Sequence, residues 1–190
     1  MKDKKLKITY ICHVIKTFFH TQESREKQLT NPIPCVRDDA WLGEASYFWF
    51  ELLDSEHWGH TSKKGRGYFE IYTADINCEN VLDTVFNEEH YYFWQRQIEK
   101  VAKLIISKTK LKPTIKELND YFKERGTWST LDGIQFQDLP TNPNHLLIRQ
   151  IDYKSKKITF AYRKRIQIAI YNPNIITNFT FFKRERCINF

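Results

Sequence analysis

Trp41, Tyr47, Phe48 and Trp49 fall within the run Trp41-Leu42-Gly43-Glu44-Ala45-Ser46-Tyr47-Phe48-Trp49, shortly after the acidic pair Asp38-Asp39. Aromatic rings with polar tips suit a wall on which a flat ligand ring stacks while its edge is hydrogen-bonded. The same residues also serve as ordinary core near a turn. Two histidines lie upstream, in His13-Val14 and in Phe19-His20-Thr21, and a lone histidine beside aromatics commonly serves as a packed structural residue. Near the C-terminus, alternation in Ile166-Gln167-Ile168-Ala169-Ile170-Tyr171 puts the isoleucines on one face and Gln167 on the other. The isoleucines are expected in the core, which leaves Gln167 to face a cleft. His57-Trp58-Gly59-His60 offers two imidazoles without a third ligand at metal-site spacing, so no metal is expected. Neither a Walker loop, nor Gly-x-Gly-x-x-Gly, nor Gly-x-Ser-x-Gly occurs.

Elements must position these groups, and composition bounds what those elements can build. A chain of 190 residues that is 41% hydrophobic and 15% aromatic can bury a core of its own, and residues 1–190 are read as a single domain. No stretch reaches the roughly 18 apolar residues of a membrane span, and Met1-Lys2-Asp3-Lys4-Lys5-Leu6-Lys7 lacks the pattern of a signal peptide. Cys12, Cys35, Cys78 and Cys187 are widely spaced, which suits reduced thiols in a cytoplasm better than a disulfide framework. The expectation is a cytoplasmic protein without a membrane partner. A net charge of +7 favours an anionic partner, and the Lys-rich stretch from Lys100 to Lys116 solvates helices or contacts phosphates.

Residues 6–20 are β-branched and apolar enough to hold a strand, and the polar stretch Gln22 to Gln28 is compatible with helix. Pro32 and Pro34 force an extended path from Asn31 to Ala40. A strand is expected over Tyr68 to Ile76 after the turn Gly65-Arg66-Gly67. Tyr91, Trp94, Ile98, Val101 and Ile105 step by three and four, predicting a helix over Glu88 to Ile106. Thr114 and Glu117 have capping-box spacing for a second helix that buries Ile115, Leu118 and Phe122 and stops at Gly126. Strands are expected at Ile134 to Phe136, Leu146 to Ile151, Ile158 to Tyr162, Ile166 to Tyr171 and Ile175 to Phe182. Two mid-chain helices and a strand-rich second half, without βαβ alternation, predict an α+β fold.

Three segments together resemble the ADP-ribosyltransferases, in particular a small bacterial or phage-type, PARP-like group. Trp41-Leu42-Gly43 to Tyr47-Phe48-Trp49, followed by Trp58-Gly59, is similar to the group's second motif, with Ala45 where a glycine is usual. Tyr72-Thr73-Ala74-Asp75-Ile76 and Asn80-Val81-Leu82-Asp83 resemble the strand and turn that come next, and Arg165 to Asn172 resembles the third motif. The first motif, usually His-Gly-Thr or His-Gly-Ser, is matched by His20 with Thr21, or else by His13, in neither case with the glycine.

The resemblance implies a split antiparallel β-sheet core of ADP-ribosyltransferase type with flanking helices, the helix after the tyrosine running from about Glu51 to Trp58. It implies NAD as substrate, no metal, and mono-ADP-ribosyl transfer to a protein, DNA or RNA acceptor. In this reading Tyr47 stacks on the nicotinamide, His20 or His13 binds the adenosine ribose, and Thr21, Trp41 and Gly43 complete the NAD site. Gln167 hydrogen-bonds the nicotinamide ribose where many members carry glutamate. Members of the group act as toxins, in toxin-antitoxin pairs or in phage defence, which implies a cognate antitoxin as partner. The alternative is a catalytically silent module that binds NAD or nucleic acid.

Overall fold

The computed structural model describes residues 15–37, 40–137, 151–153, 156–158 and 164–188. In chain order these form β1 (Ile15–Glu23), β2 (Ser46–Trp49), α1 (Leu52–Ser62), β3 (Tyr68–Asn77), β4 (Val81–Asp83), α2 (Glu88–Thr109), α3 (Ile115–Glu124), β5 (Gly133–Gln137), β6 (Ile151–Tyr153), β7 (Lys156–Ile158), β8 (Ile166–Ile170) and β9 (Ile176–Arg186). Seven strands make one sheet in the order β4-β5-β8-β2-β1-β3-β9, while β6 and β7 form a separate hairpin. Every neighbouring pair in the large sheet is antiparallel except β4 with β5. The mixed α+β class expected from the element pattern is therefore observed.

The sheet is held unevenly. β1 pairs with β3 along its whole length, from Ile15↔Asn77 to Glu23↔Phe69, whereas β1 and β2 meet only at Phe19↔Trp49. Two blocks, β9-β3-β1 and β2-β8-β5-β4, thus part from each other on either side of a single registered pair. Phe18, Phe48, Ala74, Ile76, Ile168 and Ile170 form one buried cluster that spans this junction. A second cluster joins Trp94 and Val101 of α2, and Leu118 and Phe122 of α3, to Leu82, Trp128 and Ile134.

Local sequence signals account for the helices. Asn87 caps α2 by accepting from His90 N–H, and α3 opens with the full Thr114–Glu117 capping box. Lys110 (φ 62°) and Gly126 (φ 67°) take the left-handed conformation just past the two helices. Tyr91 departs from the expected buried stripe of α2 and is exposed. The helix after the tyrosine extends to Ser62, beyond the expected Trp58.

The expected helix over Gln22 to Gln28 does not form. Gln22 and Glu23 continue the ladder opposite Glu70 and Phe69, and residues 24–28 are irregular. Ser24 then bonds Glu70, and Leu29 N–H donates to the Tyr72 hydroxyl at 3.0 Å, so tertiary partners outcompete weak local helix propensity. Of the strand expected over Leu146 to Ile151, residues 146–150 lie outside the described residues, as do 159–162 of the one expected over Ile158 to Tyr162.

α1 packs closely on β3 because Gly59 presents no side chain there: a Cβ at this position would lie 2.3 Å from the Phe69 ring. Gly59→Ala sets a helix-propensity gain of about 1 kcal/mol against overpacking of about 1–3 kcal/mol. A carbon 2.3 Å from a fully buried ring lies at the severe end of that range, so net destabilisation is expected. Urea unfolding should give a lower midpoint for Gly59→Ala, and an unchanged or higher midpoint would contradict this packing.

Candidate functional site

Where β1 and β2 part, the Tyr47 carbonyl meets a side chain. His20 Nδ1 lies 2.8 Å from it, and because a carbonyl only accepts, the imidazole N–H sits on Nδ1. Nε2 is left as an acceptor, buried and without a hydrogen-bond partner among the described residues. His20 is 5% exposed, and burial pushes its pKa down to about 4, with Lys63 adding to the effect and the bond to Tyr47 opposing it. The ring is therefore neutral at pH 7, with one lone pair able to receive a hydroxyl hydrogen.

His20 lines a cavity of about 410 Å³, together with Thr21, Trp41, Tyr47, Trp49 and Gln167. Five of the seven residues singled out from sequence thus meet in one place, although they come from β1, the 40–45 turn, β2 and β8. Gly43 does not line this cavity, and His13 lies outside the described residues.

Each of these residues is held by an identifiable interaction. Gly43 takes φ +83° in the turn after Trp41, a conformation that favours glycine, and two tyrosines fix its carbonyl neighbourhood. The Tyr47 hydroxyl donates to Gly43 O at 2.7 Å, and the Tyr171 hydroxyl donates to Leu42 O at 3.0 Å. Burial raises the pKa of both phenols far above the usual range, so both remain donors. Trp41 packs edge-on against Phe136, with ring centroids 5.0 Å apart. Ala45, standing where the resemblance expects glycine, is buried and exchanges backbone hydrogen bonds with Cys35. That bridge ties the segment carrying Ile33, Pro34 and Arg37 to the cavity wall.

Gln167 is 5% exposed rather than solvent-facing, because both faces of β8 are covered. It is registered between Trp49 of β2 and Phe136 of β5. Thr21 also lines the cavity, but its hydroxyl is engaged with α1, 2.8 Å from Ser55 O and 2.6 Å from Ser55 Oγ. Thr21 therefore positions α1 through its side chain.

The charged lining was not singled out from the sequence. Arg37, Lys63 and Arg165 line the cavity, along with the carboxylate of Glu23. The Arg165 guanidinium lies over the Trp49 ring at 5.2 Å, and Trp49 packs on Trp58 with centroids 5.7 Å apart. Glu23 is paired with Arg25 at 3.1 Å and with Arg66 at 3.4 Å. Among the described residues the lining thus presents two guanidinium groups and one ammonium group, whose chemistry suits a phosphate-bearing ligand. Arg165 was within reach of sequence reasoning, since alternation from Gln167 puts it on the same face. Lys63 was not, because it follows the end of α1.

Among the described residues, no group of three or more His, Cys, Asp or Glu side chains could hold a metal ion. His60 instead accepts from Ile188 N–H and faces Glu185. No helix among the described residues is long and apolar enough to cross a membrane. No protein-family model matches the chain, and no curated protein matches it.

The depressed His20 pKa has a stability consequence of definite sign. An unfolded chain protonates histidine near 6.5, whereas the fold holds His20 at about 4. The stability associated with neutral His20 is complete above about pH 6.5 and is lost as pH falls toward 4, amounting to about 3 kcal/mol over the window. His20→Gln keeps a donor for the Tyr47 carbonyl but does not titrate. Subtracting its unfolding free energy from that of the wild type across about pH 7 to 4 should expose a decline absent from the variant, and parallel profiles would refute the assignment.

Proposed function

We propose that this cavity binds NAD and that the chain is an ADP-ribosyltransferase-like enzyme acting on a macromolecular acceptor. The observation that carries the reading is the meeting of His20, Tyr47 and Gln167, residues far apart in sequence, in one cavity. The buried Nε2 lone pair of His20 supports ribose binding, since a hydroxyl donor is what it lacks. The aromatic lining supports stacking of the nicotinamide against Tyr47, and Arg37, Lys63 and Arg165 support the pyrophosphate.

On this reading the lining holds the dinucleotide so that the bond from ribose C1′ to the pyridinium nitrogen breaks and its electron pair goes to nicotinamide. The acceptor's lone pair forms the new bond to C1′ and its proton passes to water. Gln167 hydrogen-bonds a ribose hydroxyl through its amide but takes no proton. Glu23, the carboxylate among the described lining residues, is already paired with two arginines. This absence of an unpaired carboxylate favours, as second reading, a module that binds NAD without transfer.

Two measurements separate these readings. Calorimetry should detect NAD binding to the wild type, about tenfold weaker binding to Tyr47→Ala, and near wild-type binding to Tyr47→Phe, which keeps the ring but loses the bond to Gly43. No binding to the folded wild-type protein would sink both readings. Incubation with NAD and cell lysate should then release nicotinamide and label a macromolecule, whereas binding without release would leave the silent module.

A further inference from the structure

We infer that the solvent face of α2 is a docking surface for single-stranded nucleic acid, independently of whether the cavity binds NAD. At about 100° per residue, Tyr92, Arg96, Lys100, Lys103 and Ser107 fall within an arc of about 80° that runs for about 22 Å along the helix. Trp94, Ile98, Val101 and Ile105 lie on the opposite side and are turned into the core. From Lys100 to Lys116 the sequence holds six lysines and no carboxylate. Two acids stand on or beside the stripe, Glu89 one turn before Tyr92 and Glu99, 4.0 Å from Lys103, whose side chain is 80% exposed.

Two ordinary explanations of such a helix do not account for this distribution. Cations complement the helix dipole only in the last turn, whereas Arg96 and Lys100 stand two or more turns from the end. A face serving solubility alone has no need of exposed rings, whereas here Tyr92 stands in line with Arg96, Lys100 and Lys103, the last of them beside Glu99.

The chemistry of the stripe selects the partner. A helix lying in a lipid surface inserts its apolar face, and that face of α2 is already buried against Leu82, Phe122, Trp128 and Ile134. Tyr91 and Tyr92 stand exposed at the N-terminal end, their rings 5.5 Å apart, and Tyr92 continues the cationic stripe. Exposed rings in line with cations suit unpaired bases that stack while their phosphates are neutralised, which base-paired strands do not offer.

The test uses the full chain, without NAD, and a fluorescently labelled strand of about 20 thymidines, followed by anisotropy at about 50 to 200 mM salt. Three phosphate contacts, to Arg96, Lys100 and Lys103, predict that log affinity falls against log salt with a slope of about −2. Lys100→Glu with Lys103→Glu should weaken binding at least about tenfold and flatten the slope by more than half. Tyr92→Ala should weaken it about tenfold while leaving the slope unchanged. Lys27→Glu, an exposed reversal on another segment, should change neither. All four positions are exposed, and circular dichroism confirms folding of each variant. Absence of binding at the lowest salt, insensitivity to the double reversal, or tighter binding to a duplex of the same length or to phosphatidylserine vesicles would each overturn the inference.

Discussion

The hydrogen bond from the His20 imidazole to the Tyr47 carbonyl lies at the point on which the cavity depends. A sheet whose central strands separate leaves backbone groups without ladder partners, and a buried unpaired carbonyl costs about 1–3 kcal/mol. Here β1 continues to pair with β3 while β2 continues to pair with β8, so neither strand can close the gap. The imidazole closes it with a side chain. The same bond fixes the tautomer, and burial keeps the ring neutral, so satisfying the sheet also presents a lone pair to the cavity. Fold and site share one bond.

The turn after Trp41 follows similar logic. Left-handed Gly43 turns the chain, and the hydroxyls of Tyr171 and Tyr47 bond the successive carbonyls of Leu42 and Gly43. Tyr47 therefore anchors the turn with its hydroxyl while it lines the cavity, and it packs beside Leu42, Ala45 and Ala169. Trp41 and Tyr47 thus belong both to the core and to the cavity wall. A ligand ring placed against it would meet side chains whose positions are already set by buried contacts, which lowers the ordering cost of binding.

Legibility from sequence followed the range of the interactions. Helices α2 and α3 were readable because capping and amphipathic spacing act within a few residues, and Thr114 with Glu117 forms the expected capping box. The strand Ile166–Ile170 was readable as a strand, and alternation turned Gln167 toward a cleft, where it lines the cavity. That Trp49 and Phe136 flank it depends on strand order, which no local pattern encodes. Gln22 to Gln28 misled for the same reason, since Glu70 and Tyr72 hold that segment from far along the chain. Of the residues singled out from sequence, His20, Thr21, Trp41, Tyr47 and Gln167 line one cavity. Arg37 and Lys63 look like any other surface cation until the fold brings them to the cavity.

The distribution of charge bears on how the two proposed surfaces would divide their work. Arg37, Lys63 and Arg165 gather around one cavity, a grouping that would suit a compact ligand with a small number of negative charges. A polymer carries many more, spaced along its length, and cations gathered at one cavity do not follow it. The stripe on α2 has the complementary geometry: exposed, linear, and backed by a core on the opposite face of the helix. A compact anion and an extended one would therefore call on different parts of the same net charge of +7. Read as a single number the total charge says little about partners: its meaning depends on which cations the fold gathers at a cavity and which it leaves in a row.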